Sequence, residues 1–305
     1  MTLRDRYTRQ VRLLVRLLPI VAREPAFALK GGTAINLFIR NLPRLSVDID
    51  LVFLPTHDRP EALTEIDAAM RRIAAAVRTE VSGANVTEQV GEEAVLRLLV
   101  SAEQAQVKIE VSPVLRGVVH EPVVRTVVDA VEDSFGFAEA RLVSFEDLYA
   151  GKLVAALDRQ HPRDLFDVRE LLANEGLTDS LRETFLVYLL SHNRPMGEVL
   201  SGRLKDLEAE YRGSFEGMTA VAVPIIELID VQALLIDELI GGMPNRHREF
   251  LIGFERGEPD WSRLELTHIA TLPAVRWRQH NLRKASAGRR AQLVALLEAS
   301  LSRRA

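Results

Sequence analysis

The chain has 305 residues, enough for two domains, and its 47% hydrophobic and 27% charged residues fill real cores while keeping a wetted surface. No run approaches the roughly 20 apolar residues that cross a bilayer, so no membrane association is expected. The absence of cysteine excludes disulfides, thiolate metal sites and a cysteine nucleophile, and fits a cytoplasmic protein.

Arg4, Asp5, Arg6, Arg9, Arg12 and Arg16 interleave with leucines, which predicts an amphipathic helix over 3–22 rather than the continuous apolar stretch of a secretory signal. Phe27-Ala28-Leu29-Lys30 predicts a short buried strand ending at the turn Gly31-Gly32-Thr33, with a helix over 32–41 after it. A second strand runs from Val47 to Leu54, closed by Pro55. Leu63, Ile66, Ala69, Ile73 and Val77 recur at helical spacing between Pro60 and Glu80. Strands are expected near 84–90, 94–101 and 105–112. In the last, Val107, Ile109 and Val111 face one way, and Gln106, Lys108 and Glu110 the other. From Ser144, spaced from Asp147 as in a capping box, a helix runs to about Arg159. His161-Pro162 breaks it, and another helix carries Asp164, Phe166, Asp167 and Leu171. Residues 178–305 follow helical patterns punctuated by glycine and proline. The expected class is α+β: a mixed β-sheet with packed helices over 1–140, then a mostly helical C-terminal domain over 141–305, with a soft boundary.

Asp48 and Asp50 lie two apart on a strand, so both project from one face. Two adjacent carboxylates repel unless a cation sits between them, and a hard divalent ion such as Mg²⁺ takes oxygen ligands and commonly brings phosphate oxygens with it. The turn Gly31-Gly32-Thr33 offers backbone N–H groups and a hydroxyl to an anion. The bland alternative is a surface turn beside two solvated aspartates. Glu110, on the polar face of an apolar run, is the candidate third carboxylate; its alternative is a solvent-facing residue paired with Lys108. Three carboxylates on neighbouring strands can hold two metal ions. Lys152 sits among apolar helix residues, with Arg159 further along its helix and Asp164 and Asp167 on one face of the next. A compact lysine charge suits phosphate contact; an ordinary inter-helical ion-pair network is the alternative. The histidines lack zinc-type spacing, and Gly31-Gly32 lacks the ending of a Walker-type loop. The overall charge is −4, yet residues 276–305 hold eight Arg or Lys against Glu298 alone. That basic run attracts phosphate backbones or forms a solvated helix face.

These residues resemble the nucleotidyltransferase superfamily, and within it the AbiEii/AbiGii toxin family. Gly32-Thr33 stands for that family's turn, Asp48 and Asp50 for its metal pair, Glu110 for the later acid, and Lys152 and Asp167 for its helical motif. Arg44-x-Ser46 looks like the approach to the metal strand. Asn193-Arg194-Pro195, Phe215-Glu216-Gly217-Met218-Thr219, Gly257-Glu258-Pro259-Asp260-Trp261 and Leu272-Pro273-Ala274-Val275-Arg276-Trp277 extend the likeness over nearly the whole chain. The resemblance implies a bacterial toxin of a toxin–antitoxin or abortive-infection system that moves NMP from an NTP to an acceptor hydroxyl, most readily the 3′ end of tRNA, which blocks translation. It implies Mg²⁺ or Mn²⁺ at Asp48, Asp50 and Glu110, and nucleotide contacts from Gly31, Gly32, Thr33, Ser46 and Lys152, with Asp167 supporting the centre. The helical domain thereby contributes Lys152 and Asp167 to the site. The acceptor RNA is expected on Arg276, Arg278, Arg283, Lys284, Arg289 and Arg290, and the partner is a cognate antitoxin, an AbiEi-like transcriptional repressor. Two rivals remain: modification of a protein hydroxyl, and a non-catalytic protein that binds nucleotide or antitoxin.

Overall fold

Apolar alternation in the first half of the chain builds a seven-stranded mixed sheet whose strands lie in the spatial order Asn85–Gly91, Ala94–Ala102, Ala105–Arg116, Asp48–Phe53, Phe27–Lys30, Glu139–Leu142 and Val123–Thr126. The computed structural model describes residues 3–91, 93–202, 205–266 and 268–302. The chain divides into one unit of Met1–Ser144 with Glu216–Ala222 and another of Phe145–Phe215 with Val223–Ala305.

In the first unit the elements are α1 (Leu3–Val21), β1 (Phe27–Lys30), α2 (Gly31–Ala34), β2 (Asp48–Phe53), α3 (Arg59–Glu80), β3 (Asn85–Gly91), β4 (Ala94–Ala102), β5 (Ala105–Arg116), β6 (Val123–Thr126), α4 (Asp129–Phe135) and β7 (Glu139–Leu142). Strand β2 pairs antiparallel with β1 and parallel with β5, while β1 pairs parallel with β7. One face of these strands is fully buried: Ile49, Leu51, Leu98, Val107 and Ile109 are 1% exposed or less. Helices α1 and α3 cover the sheet, α1 against β5 and α3 against β4. Of the stripe of α3 that its spacing predicts, Ile66, Ala69, Ile73 and Val77 are buried and Leu63 is half-buried, and Met70 joins them in the core. Each of the buried Ile, Val and Met side chains contributes about 1.5–3 kcal/mol by leaving water.

Three features differ from the expected elements. The helix after the glycine turn is α-helical only over Gly31–Ala34 and widens to a π-helical turn over Ile35–Ile39. Strands β6 and β7 and helix α4 fall where the sequence offered no assigned element; β6 and β7 are four residues each, too short for a period-2 pattern to stand out. Residues 216–222 also return to the sheet unit. The Leu45 amide donates to the Met218 carbonyl at 2.8 Å, Arg44 bridges Thr219, and Arg4 donates to the Thr219 carbonyl.

The second unit is helical throughout its described residues: α5 (Phe145–Asp158), α6 (Pro162–Asn174), α7 (Asp179–Leu190), α8 (Met196–Val199), α9 (Glu208–Ser214), α10 (Ile225–Ile236), α11 (Asn245–Arg256), α12 (Pro273–Lys284) and α13 (Ala287–Leu301), with a π-helical turn over Asp237–Gly241 and short 3₁₀ turns. Helix α5 buries Leu148, Tyr149, Leu153, Ala156 and Leu157 against α6 and α7. Asp147, placed by its spacing in a cap, accepts a 3.0 Å hydrogen bond from the Tyr188 hydroxyl. Gly197 lets α8 and α13 touch backbone to backbone: a Cβ there would meet the Leu297 nitrogen at 2.7 Å, and Ser300 Oγ donates to the Gly197 carbonyl across the contact. No described helix is long and apolar enough to cross a membrane.

Candidate active site

The half-exposed face of the sheet carries charge in an ordered row. Cross-strand register places Lys30 beside Asp50, Asp50 beside Glu110, and Glu110 beside Arg97, so four adjacent strands present cation, acid, acid, cation. One step along the strands, Asp48 lies beside Lys108. The period of two that puts Asp48 and Asp50 on one face also puts Lys108 and Glu110 there, and the parallel β2–β5 pairing brings the two sets together.

Glu110 accepts from Arg97 at 2.7 Å and lies 2.8 Å from the Lys108 ammonium. Burial alone would raise its pKa, but the hydrogen bonds and charges of Arg97 and Lys108 outweigh that and hold it below the usual carboxylate value. For Lys108, burial opposes the charge, while the bond to Glu110 and the fields of Asp48 and Asp50 raise its pKa. Lys108 is therefore the resident counter-charge of the acidic face at neutral pH. Because Glu110 points to these two cations, it does not converge tightly with the aspartates. Among the described residues, the trio of His, Asp or Glu whose donor atoms all lie within 4.8 Å of one another is His57, Glu61 and Glu65, on and before the first turns of α3.

The glycine turn closes on the same face. Gly31 has φ +75°, a left-handed conformation open to glycine at little cost, and a Cβ there would meet Asp50 Oδ2 at 2.7 Å. The backbone thus lies against the aspartate with no room for a side chain. A Cβ on Gly32 would meet the Arg44 guanidinium at 2.6 Å and Ser46 Oγ at 3.1 Å. Thr33, 1% exposed, donates its hydroxyl to the Asp48 carbonyl and lies 3.0 Å from Ser46 Oγ. The buried hydroxyls of Thr33 and Ser46 thus tie the turn to the start of β2. Asn36 adds a 2.9 Å bond to the Gly32 carbonyl.

Lys152 and Asp167 belong to the second unit. The Lys152 ammonium is 2.9 Å from Asp164 and 3.0 Å from Asp167, with all three side chains at least nine-tenths buried. Asp164 also binds Arg159 through two bonds of 2.5 and 2.9 Å. Burial would raise the Asp164 pKa; the Lys152 charge and the Arg159 bonds drive it well below the usual range instead. His161 caps α6 by accepting from the Arg163 amide, and Pro162 occupies the first helical position, which sets the start of the helix that carries both aspartates.

The basic C-terminal residues divide. Arg276, Arg283, Lys284 and Arg289 are exposed. Arg278 turns inward: it donates to the His192 carbonyl at 2.9 Å and faces buried Glu255 at 3.6 Å, because its position on α12 falls on the packed side with Val275 and Leu282. Arg290 donates to the Leu282 carbonyl. Arg303 and Arg304 lie outside the described residues. Sequence reasoning did not single out Arg97 for the site; the signal was a charged residue in the otherwise apolar run Ala94–Val100, whose partner only pairing reveals.

A mixed sheet with an acid pair, a later acid and a glycine turn against the first strand pair defines a nucleotidyltransferase-type protein. A family model described as nucleotidyl transferase AbiEii toxin, type IV toxin–antitoxin system, matches residues 12–279, and the chain belongs to that family. It is therefore a nucleotidyltransferase of a toxin–antitoxin system, a class that implies an NTP substrate and an antitoxin partner. The fold is similar to MenT4, a nucleotidyltransferase toxin from Mycobacterium tuberculosis H37Rv, with TM-score 0.54 and 15% identity over 99% of this chain and 94% of that one. JHP933 from Helicobacter pylori aligns with TM-score 0.43 and 17% identity over 77% of this chain and 94% of its own. No curated protein matches the sequence significantly.

Proposed function

We propose that the chain transfers a nucleoside monophosphate from an NTP to the 3′ hydroxyl of a tRNA, with Mg²⁺ or Mn²⁺ held by Asp48 and Asp50. The observation that carries this is the packing of Gly31 against Asp50 on the face that also bears Asp48 and Glu110. Two carboxylates on one strand face form a hard oxygen donor set that fits a divalent cation. When bound, such a cation neutralises the triphosphate and favours departure of pyrophosphate. The acceptor oxygen forms a bond to the α-phosphorus as the bond to the pyrophosphate oxygen breaks.

Around that centre the chain supplies position and charge. The turn fixed by Thr33 and Ser46 offers backbone N–H groups to phosphate oxygens, and Gly31 and Gly32 let it lie against Asp50, Arg44 and Ser46. Lys108 and Lys30 balance negative charge on either side of the aspartates. Glu110, ionised and held by Arg97 and Lys108, is the proposed third acid of that face, and the proton of the incoming hydroxyl passes to water. Within the helical unit, Asp164 and Asp167 hold the Lys152 ammonium in a buried ion-pair network. The antitoxin is proposed to be an AbiEi-like transcriptional repressor, and toxicity to come from blocked aminoacylation.

The test is incubation of the protein with each α-phosphate-labelled NTP, Mg²⁺ and total bacterial tRNA, beside Asp48→Ala/Asp50→Ala. Label in tRNA that requires both aspartates supports the reading and names the nucleotide. Ribonuclease-resistant label in a protein band moves the acceptor to protein. NTP bound without pyrophosphate release leaves a binding protein in place of an enzyme.

A further inference from the structure

The two tryptophans of the chain sit in different environments. Trp261 is half-buried and packs its ring against Phe250 and Phe254 at 5.4 and 6.0 Å. Trp277, on α12, is 61% exposed and stacks on the His280 ring at 5.7 Å with 23° between the planes. An indole left in water forgoes burial worth about as much as any side chain offers.

Its neighbours are the second observation. At 100° per residue, Arg276, Trp277, His280, Arg283 and Lys284 fall within about a third of the helix circumference, and each is exposed. Ala274, Val275 and Leu282 occupy the buried side. The helix Pro273–Lys284 contains no acidic residue. The stripe is thus a flat aromatic pair bordered by cations, and its charge is complementary to a polyphosphate chain. Trp277 is the one large apolar side chain exposed on that helix, too little for a membrane surface, which needs a continuous apolar face. Phosphate contacts alone would need only the cations; the exposed ring pair calls for a planar partner. In a duplex the base faces are covered by their neighbours, so the partner that offers both phosphates and a free base face is a single strand.

We infer that the exposed face of α12 binds single-stranded RNA, with one unpaired base stacked on Trp277 and the flanking phosphates on Arg276, Arg283 and Lys284. This rests on the proposal that the acceptor is an RNA, and deepens it: the protein recognises the unpaired end of its acceptor rather than a helical stem.

The test uses the full chain without NTP. A single-stranded oligoribonucleotide of about a dozen nucleotides and the blunt duplex of the same sequence are titrated against the wild type, W277A, W277F and R283A/K284A, with fluorescence anisotropy and tryptophan quenching as readouts. The single strand is expected to bind more tightly than the duplex and to quench emission. W277A loses about tenfold in affinity and the quench, while Trp261 emission and circular dichroism report an intact fold; W277F keeps most of the affinity. R283A/K284A lowers the slope of log affinity against log salt by about 1.4. Unchanged affinity in W277A overturns the inference, as does equal Trp277 quenching by the duplex. Competition by polyglutamate that depends on Trp277, with no binding of the single strand, would assign the face to an acidic protein instead. Pyrophosphate release is measured in parallel. Turnover with RNA binding indifferent to Trp277 defeats this inference alone, and Trp277-dependent RNA binding without turnover defeats the transferase reading alone.

Discussion

Two charged clusters in this protein are built from the same residue types and behave in opposite ways. In the sheet unit, Asp48, Asp50 and Glu110 stand on a half-exposed face with Lys30, Lys108 and Arg97 as near cations, and water reaches the groups. In the helical unit, Asp164 and Asp167 face Lys152 and Arg159, and the two acids and Lys152 are buried. An open cluster can trade its resident lysine for another cation without the desolvation penalty of a buried one. A buried, balanced one gains only by staying intact, because each charge removed from it leaves another without compensation. Residue type therefore does not separate a site for ligand from a structural ion-pair network; exposure does.

The comparison breaks most visibly if either cluster is emptied. Asp48→Ala/Asp50→Ala is expected to lower nucleotidyl transfer by at least about 10³-fold with little change in unfolding midpoint, measured as pyrophosphate release and by denaturant titration. In the helical unit the opposite pattern is expected: Lys152→Met takes the cation from buried Asp167 and should cost about 3–5 kcal/mol, read from the same titration. A double substitution, Lys152→Met/Asp167→Leu, leaves the Asp164–Arg159 pair in place and should recover part of that loss; failure to recover it would point to a role beyond charge balance.

Gly31→Ala sharpens the sheet side. The new methyl would press on Asp50 Oδ2 in a backbone conformation unfavourable to alanine, so a destabilisation of about 1–3 kcal/mol and a marked loss of transfer are expected together. Lys108→Met removes the resident cation. Tighter divalent binding is expected, seen as a lower Mn²⁺ concentration for half-maximal paramagnetic line broadening; unchanged affinity would mean that Lys108 does not compete for the face.

The smallest effect is in pH. Asp164 titrates below its unfolded value, so its contribution is fully present above about pH 4 and is lost as pH falls through the depressed folded value. Stability of the wild type should therefore decline on acidification below about pH 4, and Asp164→Asn should flatten that part of the profile, as followed by chemical denaturation across pH.

Much of this was legible in the residues. The apolar stripes of α1 and α3, the alternation of β5, the His161-Pro162 break and the aspartate pair on β2 are local patterns, and each appears where its spacing predicts. Other features were not. Nothing near Arg97 indicates that it faces Glu110, since strands pair across distances the pattern does not encode. Arg278 reads like its basic neighbours, and only packing of α12 turns it toward Glu255. The return of residues 216–222 to the sheet depends on backbone bonds to Arg44 and Leu45, made by groups every residue has.

By itself, then, the sequence determined the longer elements, the face on which each acid lies and the family, because periodicity and short motifs are properties of neighbours along the chain. Tertiary structure decided charge balance and exposure: that Glu110 is held by Arg97 and Lys108, that Lys152 is locked between two aspartates, and that Trp277 is left in water while Trp261 is not. Those outcomes depend on which strands pair and which helix face is covered, and they arise between residues far apart in the chain.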